Sequence, residues 1–322
     1  MTSAGSGGAG GRDTVAAPWR PEAVPTAVLG DVVLLAEGLL FPEGPVALAD
    51  GSLVLTEIDR GTITRVAPDG SVERVAECGG GPNGAALGPD GRLYVCNNGG
   101  RFASGKWDGG WIERVDLATG AVDVLYTECN GRRLSGPNDI VFDASGGFWF
   151  TDTGKLKGRE REIGSIFYAA PSGDSLVEVV HPAETPNGIG LSPDGETLYW
   201  AETLTARLRR RTVTGPGRVA EISDRDPAAL VCGLPGYQLF DSLAVDAEGN
   251  VCVATLLSGC ITVVAPDGAS VFQYRLPAGF EDAMPTNLCF GGAGLTTAYI
   301  TLAETGRLVA CPWPVSGLAL QF

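Results

Sequence analysis

The sequence predicts an all-β protein: a six-bladed β-propeller with four-stranded antiparallel blades around a central channel. Three observations carry this expectation. With Gly 47 and Pro 21 among 322 residues, the chain is too rich in helix breakers for a helical protein, and sustained 3.6-residue periodicity is hard to find. Short runs rich in Val, Leu, Ile, Tyr and Thr alternate with turns built on Gly, Pro and Asp. One phrase recurs six times: a polar residue, about four strand residues, a Gly-containing turn and a second strand.

The copies are FPEGPVALADGSLVLTE from Phe41, GPNGAALGPDGRLYVCN from Gly81, GPNDIVFDASGGFWFTD from Gly136, TPNGIGLSPDGETLYWAE from Thr185, LFDSLAVDAEGNVCVAT from Leu239 and PTNLCFGGAGLTTAYIT from Pro285. Their polar residues are Glu43, Asn83, Asn138, Asn187, Asp241 and Asn287, spaced by 40, 55, 49, 54 and 46 residues. A unit of that length holds four strands, the content of one propeller blade. Third and fourth strands follow in most units, as in GTITRVAPDG and SVERVAEC after the first copy. The sixth unit has no clear fourth strand after GRLVACPWP. DVVLLAEG, Asp31 to Gly38, supplies one from the other end of the chain, with LALQF at the C-terminus as its rival. Ring closure matters because an open ring leaves bare sheet edges.

In a propeller the first strand of each blade lines the channel. Six first strands opening on a polar side chain at one register therefore bring six distant residues to one end of that channel. Turn preference explains a single Asn or Asp there, but not six in register. The ring offers two carboxylates, Glu43 and Asp241, and four carboxamides, Asn83, Asn138, Asn187 and Asn287. All are hard oxygen donors, which suit one divalent cation: Ca²⁺ is preferred, with Mg²⁺, Mn²⁺ or Zn²⁺ as alternatives. An ion that also holds substrate and water has no room for all six.

Composition narrows the partners. A net charge of −15 and a single basic cluster, Arg207 to Arg211, argue against nucleic acid. That cluster reads as a solvated strand edge. No run of 18 apolar residues exists, so no membrane span is expected. The Gly- and Ala-rich residues 1–26 read as a disordered tail without a secretion signal, and residues 27–322 as the propeller. The eight cysteines form no CxxC pair and read as reduced, small hydrophobes in a cytoplasmic protein. His181 is the only histidine, expected in a loop, so a Ser-His-Asp triad has little to build on.

The FPEGP, PND, PNGIGLSPDG and DSLAVDAEGN phrases resemble the senescence marker protein (regucalcin)/gluconolactonase family over roughly residues 30 to 315. That resemblance implies a six-bladed propeller with one catalytic divalent metal in the channel. Carried over by motif, it implies Glu43, Asn187 and Asp241 as metal ligands. Asn138 stands where the family places an asparagine that binds metal or substrate, a metal ligand in the related diisopropyl fluorophosphatase pattern. Regucalcin-like members carry an arginine two residues before this asparagine, where this chain has Gly136.

The expected activity is a metal-dependent hydrolase, a lactonase, with a small-molecule lactone as substrate. Asp241 is the candidate base or nucleophile, and Asn83, Asn138 and Asn287 are the candidate substrate contacts. A phosphotriesterase, a biosynthetic lyase or isomerase, and a non-catalytic Ca²⁺-binding propeller are the alternatives. A monomer or small homo-oligomer is expected. The second strands end on Glu57, Asn97, Asn98, Asp152 and Glu202, with Asp152 the strongest candidate to support the ring from behind. Strand alternation turns Asp139 away from the channel. Phe102, Trp107, Trp111, Tyr237 and Phe240 are candidate apolar walls above the metal.

Overall fold

The computed structural model describes residues 23–100, 109–223 and 226–322. Six antiparallel sheets follow one another along the chain, each with its first strand innermost. The inner strands are Pro42–Ala47, Pro82–Leu87, Pro137–Phe142, Pro186–Leu191, Leu239–Val245 and Pro285–Gly291. Each runs away from the ring residues, turns, and returns as a second strand that ends level with them. Pro42 pairs with Glu57, Pro137 with Asp152 and Pro186 with Glu202. The turns at the far end are closed by aspartates whose carboxylates accept the N–H two residues on, as Asp50 does from Ser52 at 2.9 Å and Asp194 from Glu196 at 3.0 Å.

The ring closes as the sequence predicts. Val33–Ala36 pairs antiparallel with Arg307–Pro312 as the outer strand of blade six, Val33 opposite Ala310 and Leu34 opposite Val309. The C-terminal segment takes another place. Gly317 bridges Asp246, the Leu318 N–H reaches the Val245 carbonyl at 3.1 Å, and the Phe322 ring meets Phe142 edge-on at 5.8 Å. It thus crosses the end of the channel opposite the ring residues. Blade five gains a fifth, parallel strand, Thr26–Val28, beside Val271–Arg275, and the Pro25 carbonyl accepts the Gln273 N–H at 2.9 Å. Pro25 and Thr26 lie on the tail side of the boundary expected after residue 26, and residues 1–22 lie outside the described part.

The blades are held by apolar layers between adjacent sheets. Trp149, Trp200, Tyr94, Phe148 and Phe150 are fully buried there, and Phe150 stacks on Phe167 at 5.1 Å. Each such ring contributes about 2–3 kcal/mol by burial alone. All eight cysteines are unpaired, and four of them, Cys96, Cys252, Cys260 and Cys311, are fully or almost fully buried in this core. Among the described residues no helix is long and apolar enough to cross a membrane.

Two expectations are corrected. The Arg207–Arg211 run lies in the third strand of blade four, but Arg211 is buried, stacked over Trp200 at 5.4 Å. The flat guanidinium and its long stem can be covered by an indole in a way that charge counting does not reveal. His181 lies in the outer strand of blade three, Leu176–Ala183, not in a loop. Its Nδ1 sits 2.9 Å from Ser165 Oγ, which also donates to Glu178 Oε1 at 2.7 Å. Ser165 and Glu178 both approach the same ring nitrogen, so these three residues do not form a relay.

Ring closure predicts an outcome for truncation. A chain beginning at Glu37 loses the outer strand of blade six, and its thermal midpoint falls by about 10 °C or more relative to a chain beginning at Gly30, which keeps that strand. Equal midpoints in calorimetry would show that Val33–Ala36 contributes nothing to closure.

Candidate metal centre

Each inner strand is irregular at one place, just where its polar residue stands. In blade three, Pro137 pairs with Asp152 and the next pair is Ile140 with Phe150, so Asn138 and Asp139 oppose Thr151 alone. Register breaks at the matching place in the other five blades, next to Glu43, Asn83, Asn187, Asp241 and Asn287. Such a bulge adds a residue, bends the strand and re-aims its side chains. The residue after the polar one is glycine in three blades because the neighbouring strand is too close for a side chain. A Cβ on Gly44 would lie 2.4 Å from the Asn83 carbonyl, and one on Gly188 would lie 2.5 Å from the Leu243 nitrogen.

Hydroxyls on the second strands of blades one and three, and on the inner strand of blade six, latch one blade to the next. Thr56 Oγ1 donates to the Asn83 carbonyl at 2.7 Å, Thr151 Oγ1 to the Asn187 carbonyl at 2.6 Å, and Thr286 Oγ1 to the Pro42 carbonyl at 2.8 Å. The carboxylates and amides that end the second strands cap the loops on the same face. Asp152 accepts the N–H groups of Ser135 and Gly136, each at 2.7 Å, which fixes the two residues ahead of Pro137 and Asn138. Glu57 accepts the Leu40 N–H at 2.6 Å, and Asn97 accepts that of Gly81 at 2.8 Å. Asn98 accepts the Gly100 N–H at 2.9 Å, and Glu202 accepts the Thr205 hydroxyl at 2.8 Å. These five residues shape the mouth and are not part of the ring.

All six ring residues are 9 % exposed or less. Asn187 Nδ2 donates to Asp241 Oδ1 at 2.6 Å and to Thr203 Oγ1 at 3.1 Å. Asn287 Nδ2 donates to Glu43 Oε2 at 2.9 Å, while its own oxygen accepts the Leu288 N–H at 2.7 Å, so Asn287 braces Glu43. Asn83 Oδ1 and Asn138 Oδ1 are buried and have no hydrogen-bond donor. A buried acceptor without a donor is costly in a protein interior, and two in one ring of oxygen atoms fit a cation.

Asp139 corrects the expectation from alternation. Its carboxylate faces the channel, where it accepts the N–H groups of Ile140 at 3.0 Å, Ile189 at 3.2 Å, and Leu243. It therefore ties the blade-four and blade-five strands two residues after Asn187 and Asp241. The bulge is the cause, because it interrupts the period of two that alternation assumes. Burial raises the Glu43 carboxyl to about 7 against the pull of Asn287 and Gly44. Burial, then the Glu43 charge, raises Asp139 to about 8. Burial and the charges of Glu43 and Asp139 hold Asp241 well above the ordinary carboxylate range, against the Asn187 hydrogen bond.

Among the described residues these three carboxylates form no ion pair, and no three Asp, Glu, His or Cys side chains lie close enough to hold an ion by themselves. The amide oxygens are therefore needed to complete any site. The donor set, the two orphaned amide oxygens and the crowded negative charge suit a divalent cation. The SMP-30/Gluconolactonase/LRE-like region model matches residues 41–304, a span that begins at the first bulge and takes in all six. The chain belongs to this family.

Among its relatives, the gluconolactonase of Zymomonas mobilis is 28% identical over 300 residues, covering 82% of this chain and 77% of that protein. Lactonase drp35 of Staphylococcus saprophyticus is 29% identical over 248 residues, covering 76% and 70%. A gluconolactonase from Xanthomonas campestris superposes with a TM-score of 0.71 at 24% identity, covering 93% of this chain and 99% of that one. A calcium-binding regucalcin from Agrobacterium tumefaciens gives 0.70 at 20%, covering 92% and 97%. At these identities the two structures support the fold.

A Cβ on Gly136 would lie 2.9 Å from Thr153 Oγ1, so a larger residue there requires Thr153 to shift. Of the apolar walls expected above the metal, Phe240 is instead fully buried between blades, Trp111 donates its indole N–H to Glu113 at 2.7 Å, and Tyr237 is 78 % exposed. Phe102 and Trp107 lie outside the described residues.

The raised carboxyls set the sign of a pH dependence. A group whose pKa is raised on folding stabilises the fold at low pH and loses that contribution as pH rises through its folded value. For Glu43, raised from 4.5 to about 7, the window is pH 4.5 to 7, with a loss of about 3 kcal/mol across it. Metal-free protein is therefore expected to melt several degrees lower at pH 8 than at pH 5. Millimolar Ca²⁺ should remove most of that difference, and Glu43→Gln should flatten the metal-free slope. Calorimetry at the two pH values checks this. A Glu43→Gln slope equal to the parent's contradicts it.

Proposed function

We propose that the protein is a divalent-metal-dependent hydrolase of the lactonase type, opening the ester of a small-molecule lactone in the mouth of the channel. The observation that carries this reading is the ring: two buried carboxylates and two donorless amide oxygens converge from blades far apart in sequence. A scaffold that only bound partners on its rim would have no use for such a set. Relatives named gluconolactonase and lactonase support the reaction class.

Glu43, Asn138, Asn187 and Asp241 would hold the cation, with Ca²⁺ preferred for an all-oxygen set. When bound, it supplies Lewis-acid polarisation of the lactone carbonyl. The side chains do the rest. Asn287 keeps the Glu43 carboxylate in one orientation, and Asn187 does the same for Asp241. Asp241 takes a proton from the attacking water as its oxygen bonds to the carbonyl carbon. The ring C–O bond then breaks, and the proton held on Asp241 passes to the departing alkoxide to give the hydroxy acid. Asn83, whose oxygen lacks a donor, would accept a substrate hydroxyl.

Two measurements test this. EDTA should abolish hydrolysis of a lactone panel, and Ca²⁺ or Mn²⁺ should restore it. Asp241→Asn keeps the size and one ligand oxygen but removes the base, so kcat should fall at least about 100-fold even at saturating metal. If excess metal rescues Asp241→Asn, this residue is a ligand only.

A further inference from the structure

The two ends of the propeller differ in what they expose. The turns at the far end are short and polar, as in PDGS, PDGR and PDGE, and the exposed apolar groups there, Leu320 and Phe322, belong to the C-terminal segment that crosses it. The loops at the ring end expose large apolar side chains on one side of the mouth. Leu156 is 59 % exposed, Ile163 36 %, Leu204 55 %, Tyr237 78 % and Leu257 50 %. All five belong to blades three to five or to the loop entering blade five. These blades also supply Asn138, Asn187 and Asp241. On the opposite side, among the described residues, Leu40 alone of this class is exposed.

The internal repeat supplies a control. Blades one, four, five and six join their second and third strands by equivalent turns, four residues long between the pairs Glu57–Thr62, Glu202–Arg207, Thr255–Cys260 and Leu302–Arg307. The second turn residue is Asp59 in blade one and Glu304 in blade six, but Leu204 in blade four and Leu257 in blade five. All four side chains are exposed, so the fold itself places no demand for leucine there. Leu257 also has φ 66, a conformation that disfavours a bulky side chain and suits glycine or asparagine. An exposed leucine held at such a position is a local cost without a packing return, which points to a ligand.

The arc is continuous with the ring. Leu204 follows Thr203, whose hydroxyl receives the Asn187 amide at 3.1 Å, and the Leu204 N–H rests on Thr185 Oγ1, also at 3.1 Å. Tyr237 stands four residues before Asp241. Of the charged groups on the same loops, Arg161 pairs with Glu184 at 2.9 Å and Glu162 accepts the Ser135 hydroxyl. An alkyl or aryl substituent would find on these five side chains a surface it can dehydrate.

Resting on the lactonase reading, we propose that the substrate is a lactone bearing an apolar substituent, with its ring at the metal end of the channel and its substituent laid across Leu156, Ile163, Leu204, Tyr237 and Leu257. The arc makes the site selective for chain length, and Leu204 and Leu257 are its specificity-determining residues.

The test separates this proposal from the reaction it rests on. Unreactive γ-lactams with 5-alkyl chains of increasing length are titrated calorimetrically into Ca²⁺-loaded protein. Affinity should rise by up to about four-fold per added methylene over the first few carbons. Leu204→Ser combined with Leu257→Asn should flatten that slope without lowering the thermal midpoint, since both side chains are half exposed and asparagine suits the Leu257 backbone. Turnover of the matching γ-lactones, with gluconolactone alongside, should show the same ordering in kcat/KM. If the lactam slope persists while no lactone is opened, the lactonase reading falls and the apolar arc stands. Lactam affinity that is absent, independent of chain length or untouched by the double variant overturns the proposal. So does retention of the parent on neutral phosphatidylcholine vesicles that the double variant loses, which would make the arc a membrane contact.

Discussion

Six strands have to pass side by side around one axis, and the space there decides almost everything else. At the level of the ring the neighbours approach until a Cβ would touch backbone, as the 2.4 Å gap at Gly44 shows. A regular strand cannot meet that limit and still point a polar side chain to the axis from every blade. The bulge beside each ring residue resolves the conflict by adding one residue to the inner strand. The threonine hydroxyls that reach across to the next blade then hold the bulged carbonyls in register. Position in the ring is thus a property of the closed propeller and not of any single blade.

The same geometry concentrates charge. Glu43, Asp139 and Asp241 are buried within one channel, and each is pushed toward its protonated form. Natural cores avoid like charges without a partner, and sites that keep them mark function more often than stability. Their roles separate by hydrogen bonding. Asp139 is surrounded by backbone N–H groups from three blades and acts as a brace. Glu43 and Asp241 each receive one side-chain amide from a neighbouring ring asparagine.

Much of this was legible in the sequence. Six copies of one phrase fixed the blade number, DVVLLAEG was correctly placed in blade six, and the six ring residues do share one end of the channel. These features depend on short-range pattern and on period-two alternation, which sequence carries well. What was not legible depends on departures from that period or on distant neighbours. Asp139 was assigned to the wrong side because a bulge cannot be seen by counting alternation. The signal was present, however, in the E-G, N-G, N-D, N-G and D-S pairs, where a small or polar residue follows five of the six ring residues. Phe240 looked like a pocket wall because it neighbours Asp241, yet the strand turns it into the core. Arg211 looked solvated because Trp200 covers it only in the folded sheet.

The central claim is that the ring residues hold one divalent cation on the channel axis. Anomalous diffraction from crystals grown with Mn²⁺ in place of Ca²⁺ tests it without reference to turnover. The account predicts a single strong peak on the axis whose nearest protein atoms are oxygens of Glu43, Asn138, Asn187 and Asp241. A peak bound by cysteine or by His181, or no ordered peak within the ring at millimolar Mn²⁺, would contradict it.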